Sequence, residues 1–387
     1  MPSSSAQHKP TADAEMPTAA ATARKDAPLD LCTQHIGRIY VRHDDIKHAW
    51  NVLEFAFQQG RLRESSTGYI IGHNRCGKSE TIKRFIFAKT GVEIKREDEE
   101  TSKEVPPVRM CEGKGNRILF ADMTNGMTPR VASRLILKEA FKYLKADRSA
   151  EGEGAVDIVK QMTAKRVKLF IIDEGQQMFY GHGSDAPMKL GKWLLPLENA
   201  AAFRTVVVAG PEMELLHETV VAANLRKGGY AKLTPFSIKT TEQRRAFRSF
   251  LYLFAKQLPF KSTCLISPDG KLIEDMVIPI FFATRGRPGE VAKLCEMATL
   301  HAFGFDFSGK GAVPKHLTID HFADAFDFYL RHDHRMKDFN PFRPNGMDYP
   351  EYEQCFKDEE EKEDEEDDDE ARQKPRGRTP GGRLHRG

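Results

Sequence analysis

The stretch Gly72–Ser79 reads GHNRCGKS, with the apolar run TGYII (Thr67–Ile71) before it and ETIKRFIFAK (Glu80–Lys89) after it. Gly72, Gly77, Lys78 and Ser79 fill every fixed position of the pattern GxxxxGK[ST]. Each position has a physical reason. The glycines let backbone N–H groups turn inward onto phosphate oxygens, a helix opening near Lys78 adds its positive end, and Lys78 reaches the outer phosphates. Ser79 offers a hydroxyl to a magnesium ion. An apolar strand before the loop and an amphipathic helix after it separate a phosphate cradle from a plain glycine turn. His73, Asn74, Arg75, Cys76 and Glu80 complete the candidate nucleotide-binding set. The first four are bulkier than the small residues usual in such a loop, and a thiol beside phosphate is uncommon.

A site that hydrolyses a magnesium-bound nucleotide also needs acids on a neighbouring strand, and VKLFIIDE (Val167–Glu174) ends in two. Asp173, together with Ser79, is the candidate for holding Mg2+. Glu174 is the candidate for positioning or deprotonating the attacking water. Two consecutive carboxylates favour hydrolysis of ATP over phosphoryl transfer to a small metabolite.

Working outward, GYIIG (68–72), RILFADM (117–123), VKLFIIDE and RTVVVAG (204–210) are short apolar runs, each ending at a polar residue or glycine and each followed by a helical pattern. That alternation predicts an α/β fold, a parallel sheet flanked by crossover helices. Between the first two runs, residues 95–116 are too charged and too proline-rich for core and read as a surface loop. Ahead of the sheet, Ile46, Trp50, Leu53 and Phe57 recur at helical spacing.

After Leu233–Phe236 the strands should stop and a small helical lid should begin. Phe247, Leu251, Phe254 and Leu258 share one face of its first helix, behind a threonine cap. Further helices are expected at Ile273–Phe282, Glu290–Ala302 and Asp320–Arg331. The expected division is a disordered tail at 1–28, a nucleotide-binding domain at 29–235, the lid at 236–335 and a flexible tail at 336–387. Arg285 and Arg287 precede a lid helix, where either could reach the phosphates. Arg226 lies where an arginine bridging to a neighbouring subunit is expected, with Lys227 behind it.

The formal net charge of +3 hides an asymmetry, because Asp358–Glu370 carries 12 acids and one lysine, with a basic stretch after it. Residues 1–357 hold 52 lysines and arginines against 44 acids, an excess of +8. A mildly basic body admits a polyanionic partner without requiring one. Six scattered cysteines with no CxxC pair, and no apolar secretion signal or long apolar run, point to a cytoplasmic chain with no membrane partner.

Strand, P-loop, IIDE, VVVAG and helical lid, in that order, resemble the AAA+ ATPases. More narrowly the chain looks like the transposition ATPases of the TniB, TnsC and MuB group, TniB above all. YVRHDDIKHAWNVLEFAF (40–57) is similar to the lead-in of that family. ILFADMTNGMTPRVASRLILKEAF (118–141) resembles its second strand and following helix, which opens at a Thr-Pro pair, here Thr128 and Pro129. IIDEGQQM (171–178) resembles its Asp-Glu-x-His/Gln-Asn motif, with Gln176 and Gln177 in the last two places. VVVAGPEMELL (206–216) and ATRGRPGEVAKLCEMA (283–298) match its fourth strand and lid motif. One departure stands out: the fourth strand ends in Gly210 and Pro211, where many AAA+ proteins keep a polar sensor side chain.

The resemblance implies an ATPase that assembles on double-stranded DNA as a ring or filament of its own copies and recruits a transposase, with an accessory targeting protein as a further partner. It implies phosphate-backbone contacts, for which Arg130, Arg134, Lys165 and Arg166 are candidates. A nucleotide-gated signalling or scaffold switch acting on protein partners is an alternative, as is an origin-initiator or helicase-loader ATPase sharing the same core.

Overall fold

The computed structural model describes residues 29–58, 67–94, 107–123, 127–142, 153–178, 186–200, 202–214, 227–260, 262–304, 314, 316–331 and 340–343. Residues 1–28 and 344–387, and Arg226, lie outside these residues.

The chain opens with α1 (Leu29–Gly37) and α2 (Asp44–Gln58), then β1 (Thr67–Gly72) and α3 (Lys78–Thr90). Next come β2 (Val108–Gly113), β3 (Asn116–Asp122), α4 (Pro129–Phe141), α5 (Glu153–Ala164), β4 (Leu169–Asp173), α6 (Ala186–Glu198), β5 (Arg204–Ala209) and β6 (Lys227–Leu233). The six strands form one sheet in the order β2-β3-β4-β5-β1-β6. Only β2 with β3 is antiparallel. Every residue of β1, β4 and β5 is buried, as expected for central strands covered on both faces. Alternation sorts their side chains. Ile70, Ile171, Val206 and Val208 face α2 and α3, whereas Tyr69, Ile71, Ile172 and Val207 face α4, α5 and α6.

Beyond the sheet lie α7 (Thr241–Ala255), α8 (Val277–Thr284), α9 (Pro288–Ala302) and α10 (Ile319–Ala325), with two short paired strands, β7 (Ser262–Thr263) and β8 (His316–Leu317). Thr240 caps α7 in a reciprocal box with Gln243. Phe247, Leu251, Phe254 and Leu258 are all buried in this body's core, which also takes in Ile36 and Val41 from the chain's start. The α/β class expected from sequence is therefore observed, a mostly parallel sheet flanked by helices and followed by a helical body.

Three expectations are corrected. Residues 108–113, placed in a surface loop, form β2. The two-residue tip Lys114–Gly115, with φ of 50° and 69°, is the left-handed hairpin turn that lets β2 fold back on β3. Strands do not stop after Leu233–Phe236, because β7 and β8 pair in parallel beyond it; before it, β6, outside the four apolar runs, adds to β1 in parallel, burying Ala231 and Leu233 and exposing Tyr230. Residues 340–343 are not tail. Asn340 Nδ2 donates to Ala323 O at 2.8 Å and to Asp327 Oδ1 at 2.9 Å, and Phe342 packs among Phe322 and Phe326.

Candidate nucleotide site

The P-loop leaves the C-terminal end of β1 and enters α3 through Gly77, whose φ of 91° is left-handed and strained for any residue with a Cβ. Lys78 is 5% exposed, and its Nζ donates to Gly72 O at 2.5 Å and His73 O at 3.0 Å. The ammonium is thus folded over the mouth of its own loop. Burial lowers its pKa, and Glu174 and Asp173 oppose that shift.

The adjacent strand ends supply the acids. Asp173, 2% exposed, accepts a hydrogen bond from the Ser79 hydroxyl. Its carboxyl is pushed up to about 7 by burial first, with Asp122 and Glu174 adding negative charge and the Ser79 bond opposing. Asp122 ends β3 directly opposite Asp173 in register. Sequence reading passed over this third carboxylate, although RILFADM also places an acid at a strand's C-terminal end. Glu174 has φ of 54°, left-handed for a non-glycine residue, and its N–H donates to Asp173 Oδ1 at 3.0 Å. Glu212, also passed over, raises the pKa of both Lys78 and His73 through its charge.

The buried Asp173 carboxyl beside the Ser79 hydroxyl, with the Asp122 and Glu174 carboxyls near it, fits a divalent cation. Among the described residues no group of three or more His, Cys, Asp or Glu side chains forms a metal cage. Magnesium is held by one or two protein oxygens with the remainder from phosphates and water, and Ser79 with Asp173 offers two such oxygens.

Two loop residues do not face the cradle. Arg75, with φ of 63°, turns onto the helical body, where its Nη1 donates to both carboxylate oxygens of buried Glu290 at 2.6 Å and to the Tyr329 hydroxyl at 2.7 Å. Gly289 N–H also donates to Arg75 O at 2.8 Å. Cys76 is buried in the core against α2, and burial pushes its thiol up to about 11, so it is a packing group. His73 and Asn74 are exposed at the loop's crest. Glu80 pairs with Arg84 at 2.7 Å along α3.

Of the two arginines, Arg287 is the one whose charge reaches the loop: it adds to the lowering of the His73 pKa that burial begins, and it opposes the rise that burial imposes on Cys76. It stands at the N-cap of α9, and its Nε is buried without a hydrogen-bond partner among the described residues. Arg285 caps α8 in a left-handed conformation. The four DNA candidates do not form one surface. Arg130 and Arg134 are exposed on the first turns of α4, beyond the C-terminal end of β3, whereas Lys165 and Arg166 are exposed at the entrance to β4, the opposite end of the sheet.

No family model and no curated protein matches the sequence. The fold is similar to Drosophila ORC bound to DNA (TM-score 0.44, 17% identity, 84% of this chain and 69% of that one). It is similar to Aeropyrum pernix ORC1 in complex with DNA (0.45, 15%, 74% and 66%) and to a Walker-type ATPase of Pyrococcus abyssi (0.41, 11%, 76% and 74%). Likenesses this low say nothing of what this chain binds, and the site is read from its own geometry. Among the described residues no helix is long and apolar enough to cross a membrane.

Proposed function

We propose that this chain is a magnesium-dependent ATPase that works on duplex DNA. The observation that carries the hydrolytic part is the convergence of Lys78, Ser79, Asp173 and Glu174 beyond the C-terminal ends of β1 and β4, on either side of β5. Lys78 exchanges its two loop carbonyls for phosphate oxygens, and the loop N–H groups take up the remaining phosphate charge. Ser79 and Asp173 would hold Mg2+, which supplies charge neutralisation at the phosphates. Glu174 accepts a proton from the attacking water. Arg287 comes from the helical body and meets the charge that develops on the transferred phosphoryl group, so closure of that body and chemistry are linked. The boundary near residues 235–236 is the proposed division between the two parts.

The DNA part rests on the basic excess of residues 1–357 and on the sequence resemblance. That resemblance names target choice for a transposase, with assembly into rings or filaments and with Arg226 bridging subunits. The origin-initiator or helicase-loader reading is in keeping with the DNA-bound origin-recognition structures named above, at a likeness too low to carry it.

The test is ATP turnover with and without duplex DNA, for the wild type and Glu174→Gln, with the same samples imaged for assemblies. DNA-stimulated turnover, with the variant trapped on DNA as ordered oligomers, is the expected result. Nucleotide binding with no response to any duplex at low salt would remove DNA from the proposal and favour a switch acting on protein partners.

A further inference from the structure

The strand end where a sensor side chain is missing is still wired to the site. Gln176 is 4% exposed and lies in the short turn Gly175–Met178 after β4. Its Oε1 accepts from Gly210 N–H at 2.8 Å, and its Nε2 donates to Glu174 Oε2 at 2.6 Å. The amide cannot be flipped. A backbone N–H only donates and an ionised carboxylate only accepts, so each end of the amide has one permitted orientation. Gly175 makes this reach possible, since a Cβ there would lie 2.8 Å from Val207 Cγ1 and 3.0 Å from Met213 Cε, forcing the turn off β5. Glu174 in turn holds a left-handed backbone that persists only where its surroundings fix it.

We propose that Gln176 is a positioning residue for Glu174, replacing the absent sensor by relaying the end of β5 to the proposed water-activating carboxylate through its amide. The inference rests on the ATPase reading above. With Oε2 held by the amide, rotation of the Glu174 carboxylate is stopped and its other oxygen keeps one direction. Because the anchor is the Gly210 backbone, a displacement at the end of β5 moves the amide and therefore Glu174. Misplacement of a reacting group by about 1 Å is worth on the order of 100-fold in rate, so a single amide in this position governs turnover without touching the nucleotide.

The experiment compares ATP turnover, single-turnover rate, Mg-nucleotide affinity and unfolding midpoint for the full-length wild type, Gln176→Met, Gln176→Glu, Glu174→Gln and Glu174→Gln/Gln176→Met. Gln176→Met keeps the shape and loses both bonds. It is expected to lower kcat by about 10- to 100-fold, with KM and nucleotide affinity within about twofold of wild type. Gln176→Glu can still accept from Gly210 N–H but cannot donate to Glu174, and is expected to fall at least as far. In the Glu174→Gln background, loss of Gln176 should cost nothing further, because the group it places is already disabled.

Unchanged kcat in Gln176→Met would overturn the proposal. So would a loss carried by KM or by the unfolding midpoint, or an equal fold-loss in both backgrounds. Wild-type turnover no higher than that of Lys78→Ala is a separate outcome, which would sink the ATPase reading and this inference with it.

Discussion

Replacing Arg75 by methionine removes the charged clasp between the P-loop and the helical body, and its effect can be worked from the two partners' surroundings. The Glu290 side chain is 9% exposed and that of Arg75 45%. A hydrogen bond between charged groups contributes about 1.5–3 kcal/mol net, and the half-exposed guanidinium brings this pair toward the lower end. The burial difference predicts an asymmetry. Arg75→Met strands a carboxylate in the interior and should cost about 2 kcal/mol. Glu290→Met leaves an arginine that water can solvate and should cost about 1 kcal/mol. The double variant should cost less than the sum, with a coupling of about 1–2 kcal/mol. Equilibrium urea unfolding of the four proteins, without nucleotide, measures all three terms. Repetition in 1 M salt should retain most of the coupling, because screening acts mainly on exposed pairs. Additivity within about 0.5 kcal/mol, or a larger cost for the Glu290 variant, would refute the reasoning.

Three other outcomes are expected. Gly289→Ala would place a methyl 2.8 Å from Arg75 O and 3.2 Å from its Cα, so the start of α9 must back away from the loop; ATP affinity by calorimetry should fall about tenfold, and stability by about 1–3 kcal/mol. Arg287→Ala should weaken ATP binding by a similar factor while leaving the nucleotide-free unfolding midpoint within about 1 °C, since its guanidinium lends itself to the ligand. Cys76, 1% exposed, should resist alkylation at pH 8 until urea is added, as followed by mass spectrometry. Because its thiol pKa rises from 9.0 to about 11 on folding, the protein is favoured below pH 9 and loses that contribution as pH climbs through 11; Cys76→Ala should flatten the alkaline limb of stability against pH.

The sheet's centre was legible because strands covered on both faces must be largely apolar, as Tyr69–Ile71 and Val206–Ala209 are. The phosphate loop was legible for a different reason, since each fixed residue answers to a local requirement of backbone or charge. Edge strands obey weaker rules. β2 shows only Val108 and Cys111 buried in VRMCEG, and β6 carries two glycines behind its first residue, so neither announces itself, although the Lys-Gly pair at the hairpin tip was a usable sign. The contacts of Arg75 with Glu290 and of Gln176 with Gly210 span 215 and 34 residues. Nothing in local periodicity encodes such pairings. The loop pattern places the Cys76 backbone beside phosphate, but the direction of its side chain depends on where α2 packs, which the pattern does not encode.

The described chain both begins and ends on the helical body: Ile36 and Phe342 share its core, and His35 Nε2 meets Gln257 O at 2.7 Å. The two ends of the described chain, Leu29 and Arg343, therefore ride on one lever arm. If nucleotide swings that arm against the sheet, the spacing between those two ends stays constant while both sweep past the sheet together. Probes at Leu31 and Arg343 would form a fixed ruler, and either one paired with an exposed sheet residue such as Lys168 would act as the moving hand.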